Sequence, residues 1–176
     1  MRHFALLALP LMLAACNGDA PGGDGEALAP EGPEPLENAT LDLQATGIII
    51  PPQAGFEQLE VPFGSMREAT ETTLANIVGD VVGENSENDC GLTSTSFEGL
   101  TLNFRDDQFV GYTANAPYVP ELSREEMLAD PQVSMMEDST IDGEFMIGTD
   151  PENSIGGVFV DDEVRALYAG ENCIAR

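Results

Sequence analysis

Leu92-Thr93-Ser94-Thr95-Ser96-Phe97-Glu98-Gly99-Leu100-Thr101-Leu102-Asn103-Phe104-Arg105-Asp106-Asp107-Gln108-Phe109-Val110-Gly111-Tyr112-Thr113 is the stretch on which the fold turns. Leu100, Leu102 and Phe104 alternate with polar residues, the period of a strand with one buried face. The pattern predicts three antiparallel strands: Leu92 to Phe97, Leu100 to Phe104, and Phe109 to Thr113. Glu98-Gly99 and Asp106-Asp107 supply the two-residue turns between them. A meander of this kind needs an apolar cover over its inner face.

Upstream, Leu41, Leu43 and Ala45 alternate and lead into Ile48-Ile49-Ile50, a strand ended by Pro51-Pro52. Leu59, Val61 and Phe63 form a second, short strand, and Pro62 suits an edge. Gly64-Ser65-Met66-Arg67-Glu68 then places Ser65 as the N-cap of a capping box with Glu68. Met66, Ala69, Thr73, Leu74 and Ile77 recur at helical spacing up to the C-cap Gly79, a helix of about four turns. Glu84 to Asp89 reads as an acidic loop. Beyond the meander, Asn115 to Leu122 is loop, with Pro117 and Pro120. Ser123-Arg124-Glu125-Glu126 is a second capping box, whose helix must stop before Pro131. Gly143 to Ile147 is a strand, and Val158 to Val160 with Val164 to Tyr168 is a last hairpin. The expected class is α+β, an antiparallel sheet with one main helix packed on it.

Two patterns echo within the chain. Gly64-Ser65-x-x-Glu68 returns as Gly148-Thr149-x-x-Glu152, and Phe104-x-Asp106-Asp107-x-Phe109 as Phe159-x-Asp161-Asp162-x-Val164. Both a degenerate two-unit helix-hairpin repeat and a chance echo account for windows this short.

The N-terminus has a different character. Arg2 and His3 precede an apolar run from Phe4 to Leu13, too short for a membrane span. Leu13-Ala14-Ala15-Cys16 resembles a lipobox, in which the Cys16 thiol is acylated and becomes the new N-terminus. That divides the chain into a lipoprotein signal peptide (1–15), a lipidated Cys16 with a flexible acidic Pro/Gly tether (16–40), and one globular domain (41–176). Asn17 to Ala39 holds four prolines, five glycines, six acids and no aromatic residue, a composition that cannot order itself. Its reach from the bilayer is roughly 26 Å. Asn17 after the cysteine points to the outer membrane. The expected location is therefore the bacterial envelope, lipid-anchored and facing the periplasm.

Charge and cysteine usage narrow the chemistry. There are 32 acids, six arginines and no lysine. Once Arg2 leaves with the signal, 32 acids less 5 arginines give a formal −27. Such a surface repels phosphate and anionic headgroups, which excludes nucleic acid as a partner, and it suits solubility in a salty medium. Three cysteines less the lipidated one leave Cys90 and Cys173 in a compartment that permits disulfides. A bridge between them is the expectation; two separate thiols are the alternative.

Short strand, Gly-Ser turn, capped helix, cysteine, and the hairpin Leu100 to Tyr112 together resemble a group of uncharacterised small envelope lipoproteins of Gram-negative bacteria. The stretches Ser139-Thr140-Ile141-x-Gly143-Glu144-Phe145 and Leu167-Tyr168-Ala169-Gly170-x-x-Cys173-x-x-Arg176 are similar to theirs as well. The resemblance spans most of 41–176, and its motifs are structural. Some such relatives carry an aspartate-semialdehyde dehydrogenase label, which does not fit here: there is no dinucleotide glycine pattern and no mature histidine to partner a nucleophilic cysteine. More remotely, the helix-then-hairpin unit resembles beta-lactamase inhibitor protein and the small lipoproteins of outer-membrane assembly. That likeness implies fold and carries no activity.

With His3 removed, the mature chain has neither histidine nor lysine. Ser-His-Asp, Cys-His and Ser-Lys nucleophile systems, Schiff bases, a P-loop and histidine-bound metals all fail. Only carboxylates remain, which leaves an envelope hydrolase acting on a glycan as the one enzymatic alternative. Asp150-x-Glu152-x-Ser154 resembles the start of a calcium loop, but its glycine falls at the seventh position and Asp161 stands where the closing glutamate belongs. Glu84 to Asp89 is a denser oxygen cluster, read as a solvated loop. No catalytic residue, cofactor or metal ligand is assigned. The expected function is a non-catalytic interaction module whose partners are the membrane, through Cys16, and a basic envelope protein. An acidic cation-binding lipoprotein is a further alternative.

Overall fold

The computed structural model describes residues 36, 38–53, 55 and 57–174, with the backbone alone at 152. The signal segment, Cys16 and Asn17 lie outside the described residues. Among those residues no helix is long and apolar enough to cross a membrane.

Antiparallel sheet dominates. Strands β1 (Asp42–Gln44), β2 (Gly47–Ile50) and β3 (Leu59–Pro62) form a small sheet in that order. The remaining strands make one eight-stranded sheet ordered β4-β5-β6-β7-β11-β10-β9-β8. They are β4 (Gly83–Asn85), β5 (Thr93–Phe97), β6 (Leu100–Arg105), β7 (Gln108–Ala114), β8 (Val133–Met135), β9 (Glu144–Ile147), β10 (Ile155–Val160) and β11 (Glu163–Gly170). Helix α1 (Arg67–Val78) precedes the first four, and the shorter α2 (Arg124–Leu128) precedes the last four. Each half is an antiparallel meander, and the halves meet where β7 pairs with β11, Leu167 opposite Ala114 and Gly170 opposite Gly111.

Several expectations need correction. The apolar stretch from Leu41 to Ile50 is a hairpin rather than one strand, turning at Ala45-Thr46 so that Leu43 pairs with Ile48. Gly47 follows that turn at φ 150°, where a Cβ would meet Val61 O at 2.4 Å. Ser65 is not the helix cap. The N-cap is Met66, in extended backbone; Ser65 O accepts instead from Phe109 N at 2.8 Å, and the Ser65 hydroxyl donates to Pro62 O at 2.7 Å. The helix starts at Arg67, whose N–H donates to Asp107 O at 2.8 Å, so the β6–β7 turn caps α1. The buried stripe is Thr70, Leu74 and Ile77, with Met66 exposed. Ser123 does cap α2, completing a capping box with Glu126. The domain also reaches back beyond Leu41: Leu36 N donates to Ile77 O at 3.2 Å, and Leu36 and Ala39 pack against the core.

Two apolar clusters lie on one side of the large sheet. Leu74 and Ile77 of α1, Ile48 and Ile50 of β2, and Leu102, Phe104, Phe109 and Tyr112 of the sheet make the first. Met127 of α2 with Phe145, Phe159, Val164 and Leu167 makes the second. Each such side chain contributes about 1.5–3 kcal/mol on leaving water. Burial, with the Asp42 carboxylate as a smaller effect, raises the Tyr112 hydroxyl above its ordinary value, and that hydroxyl donates to Gln44 O at 3.1 Å.

The two hairpins β6–β7 and β10–β11 match in detail. Their turns, Asp106-Asp107 and Asp161-Asp162, all have φ between 50° and 66°. Left-handed aspartates are uncommon, and this is the geometry a two-residue hairpin turn demands. Both hairpins shift register just before the phenylalanine, at Asn103/Phe104 and at Val158/Phe159. Asp162 O accepts from Arg124 N at 2.8 Å as Asp107 O does from Arg67. Ser123 bridges Glu163 as Met66 bridges Gln108. The Arg67 guanidinium sits 4.9 Å above Phe104, and that of Arg124 sits 5.2 Å above Phe159. The counterpart of the α1 entrance is therefore Ser123-Arg124, not Gly148-Thr149, which leads only into a single 3-10 turn at Pro151–Asn153.

Candidate functional site

Three places gather side chains beyond the needs of the core. The first is the strap at the C-terminus. Cys90 and Cys173 are bridged, with Cα atoms 5.8 Å apart, and the bond closes across 83 positions. Just before it, Asn172 Oδ1 accepts from Asn103 Nδ2 at 2.8 Å and from Thr113 Oγ1 at 3.1 Å. Arg105 Nη2 donates to Glu171 at 2.6 Å and to Cys90 O at 3.2 Å, tying both ends of the strap together. Gly111 lies beneath, where a Cβ would stand 2.2 Å from Glu171 O. Asn103, Gly111 and Thr113 alternate with the core residues of their strands, so the strap crosses the face of the sheet opposite the clusters.

The second is a buried carboxylate. Glu144, only 1% exposed, accepts hydrogen bonds from the Tyr168 and Ser139 hydroxyls, and Ser139 Oγ in turn accepts from Ile141 N at 2.9 Å. The Tyr168 ring lies flat on Gly156 of the neighbouring strand, since a Cβ there would be 2.2 Å from the ring. Tyr168 and Gly156 also line a cavity of 440 Å³ with Phe63, Met136 and Met146. A sealed carboxylate satisfied by two hydroxyls orders the loop from Met136 to Gly143 against β9 and β11.

The third is a groove of 720 Å³ between the loop after β7 and the β10–β11 hairpin. Pro117, Val119, Pro120, Leu122, Val160 and Val164 form its apolar lining. Leu122 is 42% exposed and Val160 48%, so apolar surface faces water here. Glu121, Asp161 and Glu163 stand on the rim against one cation, Arg165. At the α2 end, Ser123 donates its hydroxyl to Glu126 at 2.7 Å and its N–H at 2.9 Å, and these bonds hold the Glu126 carboxyl below its ordinary value. Tyr118, next to the lining, is raised by burial and by the Glu98 charge.

Asn88, not an acid, organises the loop before Cys90, accepting from Cys90 N and Leu92 N at 3.0 Å each. Glu84 and Asn85 belong to β4. Around Asp150 the backbone makes a 3-10 turn, with Asn153 N donating to Asp150 O at 3.0 Å and Ser154 Oγ to Pro151 O at 3.3 Å. Among the described residues no three His, Cys, Asp or Glu side chains are grouped to hold a metal ion. Neither the groove nor the Glu144 network is marked by a local pattern: Pro117 and Pro120 are the signal in the sequence for the groove, and Tyr168 stands 24 positions from Glu144. No protein-family model matches the chain, and neither a curated protein nor a solved structure matches it.

Proposed function

We propose that the mature protein is a non-catalytic envelope lipoprotein, anchored by lipid on Cys16 at the outer membrane and facing the periplasm, that works as a protein-interaction module. The observation that carries this reading is the groove at the second hairpin, where Leu122 and Val160 expose apolar side chains within an acidic rim. Exposed apolar surface framed by charge is what a protein interface looks like before its partner arrives. The strap and disulfide support the same reading, since they hold a rigid platform at the end of a tether. The equivalent bonding of the two hairpins supports a degenerate two-unit repeat as the origin of the sheet. A partner surface carries Lys or Arg, because association with so acidic a domain is steered by opposite charge.

Affinity capture of the lipidated protein from gently solubilised envelopes, at low and high ionic strength, tests the reading. A reproducible partner lost at high salt, whose capture also needs Leu122 and Val160, supports it. Cleavage of a glycan by the purified protein, abolished by replacing one carboxylate, would overturn it in favour of a hydrolase.

A further inference from the structure

The backbone around the groove is already paired. Before α2, Ser123 bridges Glu163 and Arg124 N donates to Asp162 O; from Leu167 onward β11 pairs with β7, and β10 lies along its other side. What the groove still offers is side chains, and one of them is uncommitted. Val158 stands opposite Ala166 and Phe159 opposite Val164, so Arg165 is the extra residue of a β-bulge. A bulge re-aims a side chain, and the consecutive residues Val164 and Arg165 here both line the groove. Val110 holds the matching place in the first hairpin, so the bulge itself does not call for an arginine. Among the described residues Arg165 is the one arginine with neither an ion pair nor a side-chain hydrogen bond, although Glu121, Asp161 and Glu163 line the same groove. Arg67 holds Glu71, Arg105 holds Glu171, and Arg124 lies 3.7 Å from Asp162. A guanidinium carries five donors in a planar fork that fits a carboxylate. Resting on the interaction-module reading above, we propose that the groove receives the C-terminal end of a partner protein. The terminal carboxylate sits on Arg165, the last side chain, an aliphatic one, packs against Leu122, Val160 and Val164, and a Lys or Arg just before it lies beside Glu121, Asp161 or Glu163.

Charge selects this occupant over the others. Val164 and Arg165 are neighbours in the chain, so a group that meets both carries an aliphatic side chain and a carboxylate close together, as a C-terminal residue does on a single Cα. A fatty carboxylate brings the anion and the chain but nothing for the three rim carboxylates, which repel it. An internal basic segment suits the rim and leaves Arg165 without an anion. The chain's own segment from Asn17 to Ala39 has six acids and no basic residue, so the rim repels it. A second copy brings the same excess of acid to its own image. Capture of a terminal carboxylate is an established mode of peptide recognition, and a basic residue beside it speeds approach to an acidic domain.

The probe is an acetylated peptide of glycines and two lysines that ends in valine, made as the free acid and as the C-terminal amide. A third peptide, a free acid, ends in glycine instead. Each is titrated into the full-length lipidated protein in detergent micelles at about 0.15 M salt, where surface charge is largely screened beyond a Debye length. General attraction to an acidic domain favours the amide, which carries one more net positive charge. The proposal requires the reverse: the free acid should bind about fivefold more tightly, the effect of one partly screened ion pair. Valine in last place should bind about tenfold more tightly than glycine, the effect of burying one aliphatic side chain. Arg165→Gln should abolish the preference for the acid and Arg165→Lys should keep most of it, with the valine preference unchanged in both. Leu122→Ser with Val160→Ser should do the opposite, and Val82→Ser, at a 69% exposed valine just before β4, should change neither. Hydrogen exchange at saturation should slow over 117–122 and 160–166. An amide that binds as well as the acid, an acid preference that survives Arg165→Gln, or protection elsewhere overturns the proposal. Displacement of the peptide by octanoate overturns it in favour of a fatty carboxylate. Protection of the same segments that rises with protein concentration, without peptide, overturns it in favour of a second copy. If such a result coincides with salt-sensitive capture of an envelope partner, the C-terminal assignment falls alone. If no partner is captured, the interaction-module reading falls with it.

Discussion

Gly156→Ala is the substitution that tests the packing around Glu144 most directly. Gly156 has ordinary extended backbone, so alanine meets no conformational penalty there, and fewer unfolded conformations would favour it by about 0.4–1 kcal/mol. The obstacle is the Tyr168 ring. The new Cβ would stand 2.2 Å from Cε2, 2.4 Å from Cζ and 2.8 Å from the hydroxyl oxygen. The ring cannot swing aside freely, because its hydroxyl is bound to a carboxylate that Ser139 also holds. Overpacking of this kind costs about 1–3 kcal/mol, and a broken bond to a buried charged group about 1.5–3. The ring relieves the clash by giving up part of that bond, so the two costs overlap, and a net loss of about 3 kcal/mol is expected. In a domain of this size that lowers the unfolding midpoint by about 10 °C.

Urea unfolding followed by tyrosine fluorescence measures it, in a chain free of tryptophan. Gly83→Ala is the control, since a Cβ at Gly83 meets nothing within 4 Å, and it should be neutral or slightly stabilising. In a Tyr168→Leu background the Gly156→Ala cost should shrink to under about 1 kcal/mol, as coupled neighbours require. Stability within about 0.5 kcal/mol of wild type for Gly156→Ala alone would refute the reasoning, since that is the ordinary range for surface changes.

Replacing Cys90 and Cys173 together by serine should cost about 4–5 kcal/mol from loop-closure entropy over 83 positions, read as a lower urea midpoint; a loss below about 1 kcal/mol would contradict it. Tyr112 is raised in the folded state, so its contribution is whole below the unfolded value of 10.0 and is lost as pH rises beyond it. Stability should therefore fall above pH 10, and Tyr112→Phe should flatten that limb; an unchanged slope would point to another group. Sodium chloride should raise the melting temperature by screening the excess acids, and a flat or falling response between low and molar salt would mean they are mutually paired. Cys16→Ser should abolish palmitate labelling and leave an uncleaved precursor, and label that persists rules out lipidation at Cys16.

The hairpin from Leu100 to Thr113 was legible because its alternation has period two and its turn residues leave few other conformations. The cap of α2 was legible because Ser123 and Glu126 satisfy each other within four residues. Ser65 and Glu68 have the same spacing and failed, because Phe109 claims Ser65 O for the sheet and no local pattern reveals a partner 44 positions away. The strands β4 and β8 have three residues each, too few to show a period. The hairpin within Leu41–Ile50 turns at Ala45-Thr46, which carries no turn signature of its own. The disulfide followed from counting, whereas the groove depends on a proline loop meeting a hairpin some 40 residues later.

The two halves part company where the groove lies. In the first, α1 has twelve residues and the small sheet adds Ile48, Ile50 and Val61 to the cover over Phe104 and Phe109, both wholly buried. In the second, α2 has five residues, and the loop with Pro117 and Pro120 lies where β11 outruns β7. Equivalent side chains differ accordingly. Arg67 binds Glu71, Thr93 and Thr95, whereas Arg124 Nε makes no hydrogen bond and lies 3.7 Å from Asp162. Arg105, directly after Phe104, holds the strap through Glu171 and the Cys90 carbonyl, while Val160, directly after Phe159, stands bare at the rim of the groove. The same backbone unit thus serves twice, once sealed by an arginine and a disulfide and once left open with an aliphatic side chain.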